Sequence, residues 1–191
     1  IFSHGDSDIE KTRKIYNHIT ENIRYVGFEL GIGGIQPREA DQTYISRMGD
    51  CKDMTLVLVA LLREAGIDSR FALVRTREKG KANIAVPYIG DFNHAICYVK
   101  IDKGASGPVE FFLDGTAEDS GFRELPEEIW DATAFVLDEK NYHFINTKSG
   151  FYIHGIQNVS TRVTMDGNGN ADLERSLIIS GNSAPDARSN F

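Results

Sequence analysis

Between Arg47 and Gly66 the chain reads RMGDCKDMTLVLVALLREAG, which sets a thiol, Cys51, among charged residues just ahead of an apolar run. A thiol becomes a nucleophile as its thiolate, and an unperturbed cysteine ionises only near pH ~8.5. Two neighbours lower that threshold: the N-terminus of a helix, whose unpaired N–H groups and dipole favour negative charge, and an imidazolium. Asp50 suits the N-cap position, which places Cys51 in the first helical turn and supplies the first neighbour locally. The second must come from elsewhere. Of the five histidines, His4, His18, His94, His143 and His154, the best placed is His94. It opens the strand-like stretch HAICYVKI after a loop, where a side chain can face a cleft while the rest of the strand packs. A histidine serving as base needs an acceptor at its other ring nitrogen. The next strand-like stretch, VEFFLDGTA, ends at Asp114, and the intervening GASG can turn the chain so that the two strands pair antiparallel. Asp114 then approaches His94, as a cysteine–histidine–carboxylate arrangement requires.

Each of these residues also has a plainer reading. Free cysteines are often buried and inert, but Asp50, Lys52 and Asp53 argue against burial at position 51. Asp114 precedes Gly115, a common turn pair. Asp53 reads as a local structural cap. Cys97 lies three residues beyond His94, ~10 Å along a strand and on its opposite face, so it belongs to the core. A zinc site built from Cys51, His94 and Asp114 is chemically conceivable, although three single ligands from three separated elements are a weak signal.

The elements that must position these groups follow from periodicity. DSDIEKTRKIYNHITENI is expected to be a helix, with Ser7 and Glu10 in capping-box spacing and Ile15, Tyr16, Ile19 and Ile23 on one face. IRYVGFELG reads as extended, ending in a glycine-rich turn at Gly31 to Gly34, and a short helix is expected after Pro37. The helix that starts at Cys51 is apolar nearly all round, so it should be central, and Gly66 suits its C′ position. SRFALVRT is strand-like. Residues 77–93 form a polar loop containing Pro87, Gly90 and Asp91. HAICYVKI and VEFFLDGTA follow, then a helical turn in ELPEEIWDA, then strands in TAFVLD and YHFINT. Helices followed by consecutive strands predict an α+β fold with a buried central helix on an antiparallel sheet. The texture changes from about Gly155. NVSTRVTM, DGNGN and ADLERSLIIS form a hairpin pattern with alternating faces. The reading is a core domain over residues 1–150 and the start of a second, all-β domain over 151–191.

Composition narrows the function. A net charge of −7 argues against a nucleic-acid partner, which would call for a basic face. No apolar run reaches the ~18 residues of a membrane span. Two cysteines make no disulfide framework, and no C-x-x-C pair suggests a metal finger. GIGGIQ begins like a dinucleotide loop but has Gln36 where the last glycine belongs. DGNGN resembles the front of a calcium loop but fails at Ala171 and Leu177. Asn158-Val159-Ser160 matches a glycosylation sequon, a triplet that arises often by chance. The chain begins and stops in mid-phrase, so it is expected to be a piece of a longer protein, with any targeting signal elsewhere.

Taken together, RMGDCKDMTLVLVALLREAGIDSRFALV, DFNHAICYV and FFLDGTA resemble the transglutaminase-like superfamily, over roughly Asp8 to Asp138. The match is closest to its bacterial branch, in which such a core lies between two β-rich domains. The resemblance implies a papain-like core and a catalytic triad of Cys51, His94 and Asp114. It also implies a thiol-dependent hydrolase or acyltransferase that attacks amide or peptide bonds through a thioester, needs no cofactor, and takes a protein or peptide as substrate. An oxyanion hole is then required. Its donors are the Cys51 N–H and a side chain from the preceding segment, with Gln36 as candidate and Tyr25 as another. VTMDGNGNADLERSLIISGNSAPDAR resembles the opening of the following β domain, so flanking β domains of the same chain are expected, and a bacterial periplasm or cell surface is a compatible location. The competing expectation is a module that keeps this fold for binding or scaffolding, without turnover.

Overall fold

In a computed structural model, residues 1–28, 31–86, 88–117, 120–138, 141–147 and 156–180 are described. Contacts within the chain separate two compact units, Ile1–Gly150 and Phe151–Phe191. Pro87, the boundary near residue 150 and the stretch after Ser180 lie outside the described residues.

The first unit begins with helix α1, Asp8–Asn22, capped by Ser7, whose hydroxyl accepts the Glu10 N–H. Its Ile15, Tyr16 and Ile19 are buried on one face, as the spacing predicts. Two short strands, β1 (Arg24–Tyr25) and β2 (Met48–Gly49), pair in parallel on either side of helix α2, Ala40–Ser46. This pairing was not readable in the sequence: two-residue strands carry no period. Helix α3, Cys51–Glu64, starts directly after β2. Its C-terminus closes as a Schellman turn, with the Ile67 N–H donating to Leu62 O and the Gly66 N–H to Arg63 O, both at 2.9 Å. Gly66 stands at φ +79°, a left-handed conformation that suits glycine.

The remaining strands are β3 (Asp68–Val74), β4 (His94–Ile101), β5 (Val109–Leu113), β6 (Thr133–Leu137) and β7 (Tyr142–Asn146). They form one antiparallel sheet in the order β5-β4-β3-β6-β7. The unit is thus α+β, with α3 packed on β3 and β4.

Both faces of the sheet are apolar, and each is covered by different chain. On one side Cys97, Val99, Ile101, Phe111 and Leu113 meet Met54, Leu58 and Leu62 of α3 and Ile15 and Ile19 of α1. On the other side Ala72, Val74, Ile96, Tyr98, Phe112 and Val136 pack with Ile129 and Ala132. This two-sided burial explains why HAICYVKI is almost uniformly buried. Cys97 is fully buried within the helix-side cluster, and burial pushes its thiol well above the ordinary range. Both cysteines are free.

The polar loop between β3 and β4 is organised by one cation. Arg75 donates to the carbonyls of Lys79, Gly80 and Asp91. Asn93, immediately before His94, is tied to Thr76 by side-chain bonds in both directions. The loop therefore delivers β4, and His94 at its head, from a fixed base.

The second unit contains a hairpin of β8 (Ile156–Met165) and β9 (Ala171–Ser180). Asp166 closes its turn: its carboxylate accepts the N–H groups of Asn168 and Asn170 and the Asn170 side-chain amide. The DGNGN stretch is therefore a hairpin turn. Cross-strand pairs put Val159, Val163, Leu173 and Leu177 on one face and Ser160, Arg162, Glu174 and Ser176 on the other.

Candidate active site

Cys51 is the first residue of α3. Asp50 caps the helix, and its carboxylate accepts the Lys52 and Asp53 N–H groups at 3.1 and 3.2 Å. Asp53 answers at N3 by accepting the Asp50 N–H, completing a capping box. Among the described residues no acceptor takes the Cys51 N–H, so it remains available at the helix start. Lys52 forms an ion pair with Asp50, so both charged neighbours of the thiol are held against the helix start.

The glycine before this cap is set by space. A Cβ at Gly49 would lie 2.8 Å from Asp53 Cβ and 2.9 Å from Thr43 Cγ2. Only a residue without a side chain lets β2 approach α2 and α3 this closely, and β2 delivers Asp50 and Cys51 to their positions.

His94 is the first residue of β4 and Asp114 directly follows β5. The register, with Cys97 opposite Leu113 and Ile101 opposite Val109, leaves Asp114 just beyond the last pair, at the same end of the sheet as His94. The ring Nε2 and Asp114 Oδ2 are 2.7 Å apart. Since this nitrogen serves the carboxylate, Nδ1 is the ring nitrogen left for a second partner, and Cys51 is near enough to bear on the charge of the ring. The three residues named from sequence are thus neighbours.

The electrostatics follow from burial and charge. The His94 side chain is 17% exposed and that of Asp114 only 1%. Burial alone would lower the affinity of the ring for its proton. The Asp114 charge and hydrogen bond, with the contact to Cys51, outweigh it and push the His94 pKa up to about 10. Asp114 suffers the same burial, which favours its neutral form, but His94 and two bonds from Thr116 hold it below the usual carboxylate range. The Thr116 N–H and hydroxyl donate to Asp114 Oδ1 at 2.9 and 2.7 Å. The arrangement can hold an imidazolium beside a sulfur at neutral pH.

The oxyanion candidates from sequence stand differently. Gln36 is exposed in the turn after a 3₁₀ segment, Gly31–Gly34, and its backbone N–H donates to Ile32 O. Tyr25 pairs opposite Gly49, two residues ahead of Cys51. The Gln36 segment is anchored by Arg38, whose backbone N–H and Nε donate to the two Asp53 oxygens at 2.8 and 2.9 Å. The Arg38 guanidinium also bonds Met48 O and lies 4.5 Å above the Phe28 ring. Asp53, expected as a local cap, therefore also fastens the preceding segment to the helix. The D-x-x-D spacing from Asp50 announces the capping box, but nothing in the sequence announces Arg38 as partner. The two donors from Thr116 were also missed, although an aspartate two residues before a threonine is a recognised turn signal. Among the described residues no group of three or more His, Cys, Asp or Glu is disposed to hold a metal ion.

The family model described as the transglutaminase-like superfamily matches residues 1–116, more than half of the chain. The chain belongs to the transglutaminase-like superfamily. Its match spans Cys51, His94 and Asp114 together. Among solved structures the chain is similar to a candidate protease from Parabacteroides distasonis ATCC 8503, at 16% identity and a TM-score of 0.56 over 76% of this chain and 25% of that one. It is also similar to a candidate cysteine protease from Cytophaga hutchinsonii, at 15% identity and a TM-score of 0.41 over 89% of this chain and 44% of that one. The first likeness agrees in fold with the superfamily. The chain spans a quarter and less than half of the lengths of these two proteins. No curated protein matches it. Among the described residues no helix is long and apolar enough to cross a membrane.

Proposed function

We propose that the chain carries a thiol-dependent hydrolase or acyltransferase acting on amide bonds of a protein or peptide, with Cys51, His94 and Asp114 as its triad. The observation that carries this reading is the His94–Asp114 pair, closed at 2.7 Å and 1% exposed at the carboxylate, with Cys51, at a helix N-terminus, near enough to bear on the charge of the same ring. Membership of a superfamily that includes acyl-transferring enzymes, and the fold shared with a candidate protease, point the same way.

In this reading the Cys51 thiolate attacks the amide carbonyl carbon while His94 carries the proton. The oxyanion that forms is met by the Cys51 N–H, with Gln36 as candidate for the second donor. The C–N bond then breaks, and the His94 Nδ1 proton passes to the leaving amine, which departs and leaves a thioester. The now neutral ring takes a proton from water or from a second amine, whose oxygen or nitrogen attacks the thioester. The acid or new amide is released and the thiolate–imidazolium pair is restored. Asp114 keeps the Nε2 proton in place throughout, which fixes the tautomer with Nδ1 toward sulfur. No cofactor is called for. Hydrolysis is the favoured outcome, and the hairpin of the second unit is read as part of a β-rich domain that follows the core.

The test is turnover of fluorescent casein and of quenched peptide libraries by the purified chain, with Cys51→Ala and His94→Ala beside it. Hydroxylamine traps the acyl-enzyme as hydroxamate and so reports the thioester, and the ratio of free acid to amide formed with a lysine-like primary amine separates the two outcomes. Loss of turnover in both variants is expected. Turnover that survives Cys51→Ala overturns the reading.

A further inference from the structure

The carboxylate of Asp114 poses a problem that the triad alone does not solve. It is nearly dry, and burial favours its neutral form. While His94 is cationic the two charges support each other. Once the ring has given its proton to a leaving amine, that support is gone, and the anion must be held by something else.

Two donors meet it from the other side. The Thr116 N–H reaches Asp114 Oδ1 at 2.9 Å and the Thr116 hydroxyl reaches the same oxygen at 2.7 Å. The backbone bond is an Asx-turn, which almost any residue at position 116 could make. The Ala117 N–H donates to Asp114 O at 3.4 Å and continues the turn. The hydroxyl bond is not required by this turn; it is an added donor on an oxygen that already has one. With Oδ1 held by both, Oδ2 is the oxygen presented to His94 at 2.7 Å.

We propose that Thr116 is a positioning residue of the site, its hydroxyl keeping the Asp114 carboxylate ionised and turned so that Oδ2 holds His94. The proposal rests on the triad reading above and goes beyond it in assigning a fourth member. Other groups bear on Asp114 as well. His94 faces it from β4, Cys51 of α3 interacts with the same ring, and Tyr16 of α1 feels its charge together with that of Glu124. Among the described residues the buried Tyr16 hydroxyl has no hydrogen-bond partner, Asp114 included, so it does not substitute for Thr116.

The test is the pH profile of Cys51 alkylation by iodoacetamide in wild type, Thr116→Val and Thr116→Ser, with Trp130 fluorescence as a check on folding. Valine matches threonine in shape and removes only the hydroxyl; serine keeps it. Without the hydroxyl, Asp114 takes a proton at higher pH and the ring loses its counter-charge. The acid limb of the Thr116→Val profile should therefore move up by about one to two pH units, the weight of one hydrogen bond to a charged group. Thr116→Ser should overlay wild type. Should valine not fold, Thr116→Ala makes the same deletion in less space. A folded Thr116→Val or Thr116→Ala protein with the wild-type profile overturns the proposal, as does a Thr116→Ser protein as altered as Thr116→Val. If instead the wild-type profile is that of an ordinary thiol and His94→Ala leaves it unchanged, the triad reading itself is what fails.

Discussion

Replacing Asp114 by asparagine should change how stability depends on pH, in a window that the site fixes. His94 has its pKa raised from 6.5 to about 10. A raised pKa stabilises the fold fully below the unfolded value, so the contribution is complete below about pH 6.5. It declines as the pH climbs and is gone above about pH 10. At ~1.4 kcal/mol per unit, the shift corresponds to at most about 5 kcal/mol, on the order of magnitude only. The lowered pKa of Asp114 reflects the same pair and is not added to it. In Asp114→Asn the counter-charge is lost while burial remains, so the ring is neutral at pH 7 and this pH-dependent contribution disappears. The single tryptophan, Trp130, belongs to the first unit, where its Nε1–H donates to Leu125 O at 2.7 Å. Its fluorescence therefore reports the unfolding of that unit. Urea denaturation at intervals from pH 6 to pH 10.5 should show wild type several kcal/mol above the variant at pH 6 and the two curves converging by pH 10. Titrating groups outside the triad are common to both proteins and cancel in the difference, so the pH dependence of the gap reports His94 together with the Cys51 coupled to it. A gap that stays constant across that window means that the ring is not charged in the folded state, and the reasoning fails.

Three further outcomes follow from particular contacts. Gly49→Ala forces a methyl group to within 3 Å of Asp53 and Thr43, so it should destabilise the first unit by about 1–3 kcal/mol and slow Cys51 alkylation, measured on the same sample. Asp53→Ala leaves Arg38 without its carboxylate and opens the capping box. A loss on the order of 3 kcal/mol is expected in denaturant titration, with new protease sensitivity near residues 35–39. Because Cys97 is fully buried and Cys51 is not, mass spectrometry should find one alkylated cysteine in the native protein and two after denaturation.

Much of this site could be read from the chain because it is carried by strong local signals. Asp50 and Gly66 mark the ends of α3 by capping chemistry, and the apolar run between them has no other place than the interior. GASG between two β-rich stretches sets the pairing that brings His94 and Asp114 to one end of the sheet. What escaped was either too short or too distant. Strands β1 and β2 have two residues each and depend on a partner across α2. Arg38 and Asp53 lie 15 residues apart, and no sequence period links an arginine in a loop to an acid in a helix. The exposed place of Gln36 depends on how that loop is anchored. The covering of the second face of HAICYVKI by the chain around Ile129 was not announced either, because it depends on a segment that follows β5. Thr116 was visible but unread, since an Asp-Gly-Thr turn looks complete without a purpose for the hydroxyl.

The relation between Cys51 and His94 is tested most directly by the rate of Cys51 alkylation with iodoacetamide from pH 4 to pH 10, in wild type and in His94→Ala. Alkylation in wild type should already be on its plateau at pH 7, and in His94→Ala it should rise only near the pH ~8.5 of an ordinary thiol. Superimposable profiles with a single inflection near pH 8.5 would contradict the account.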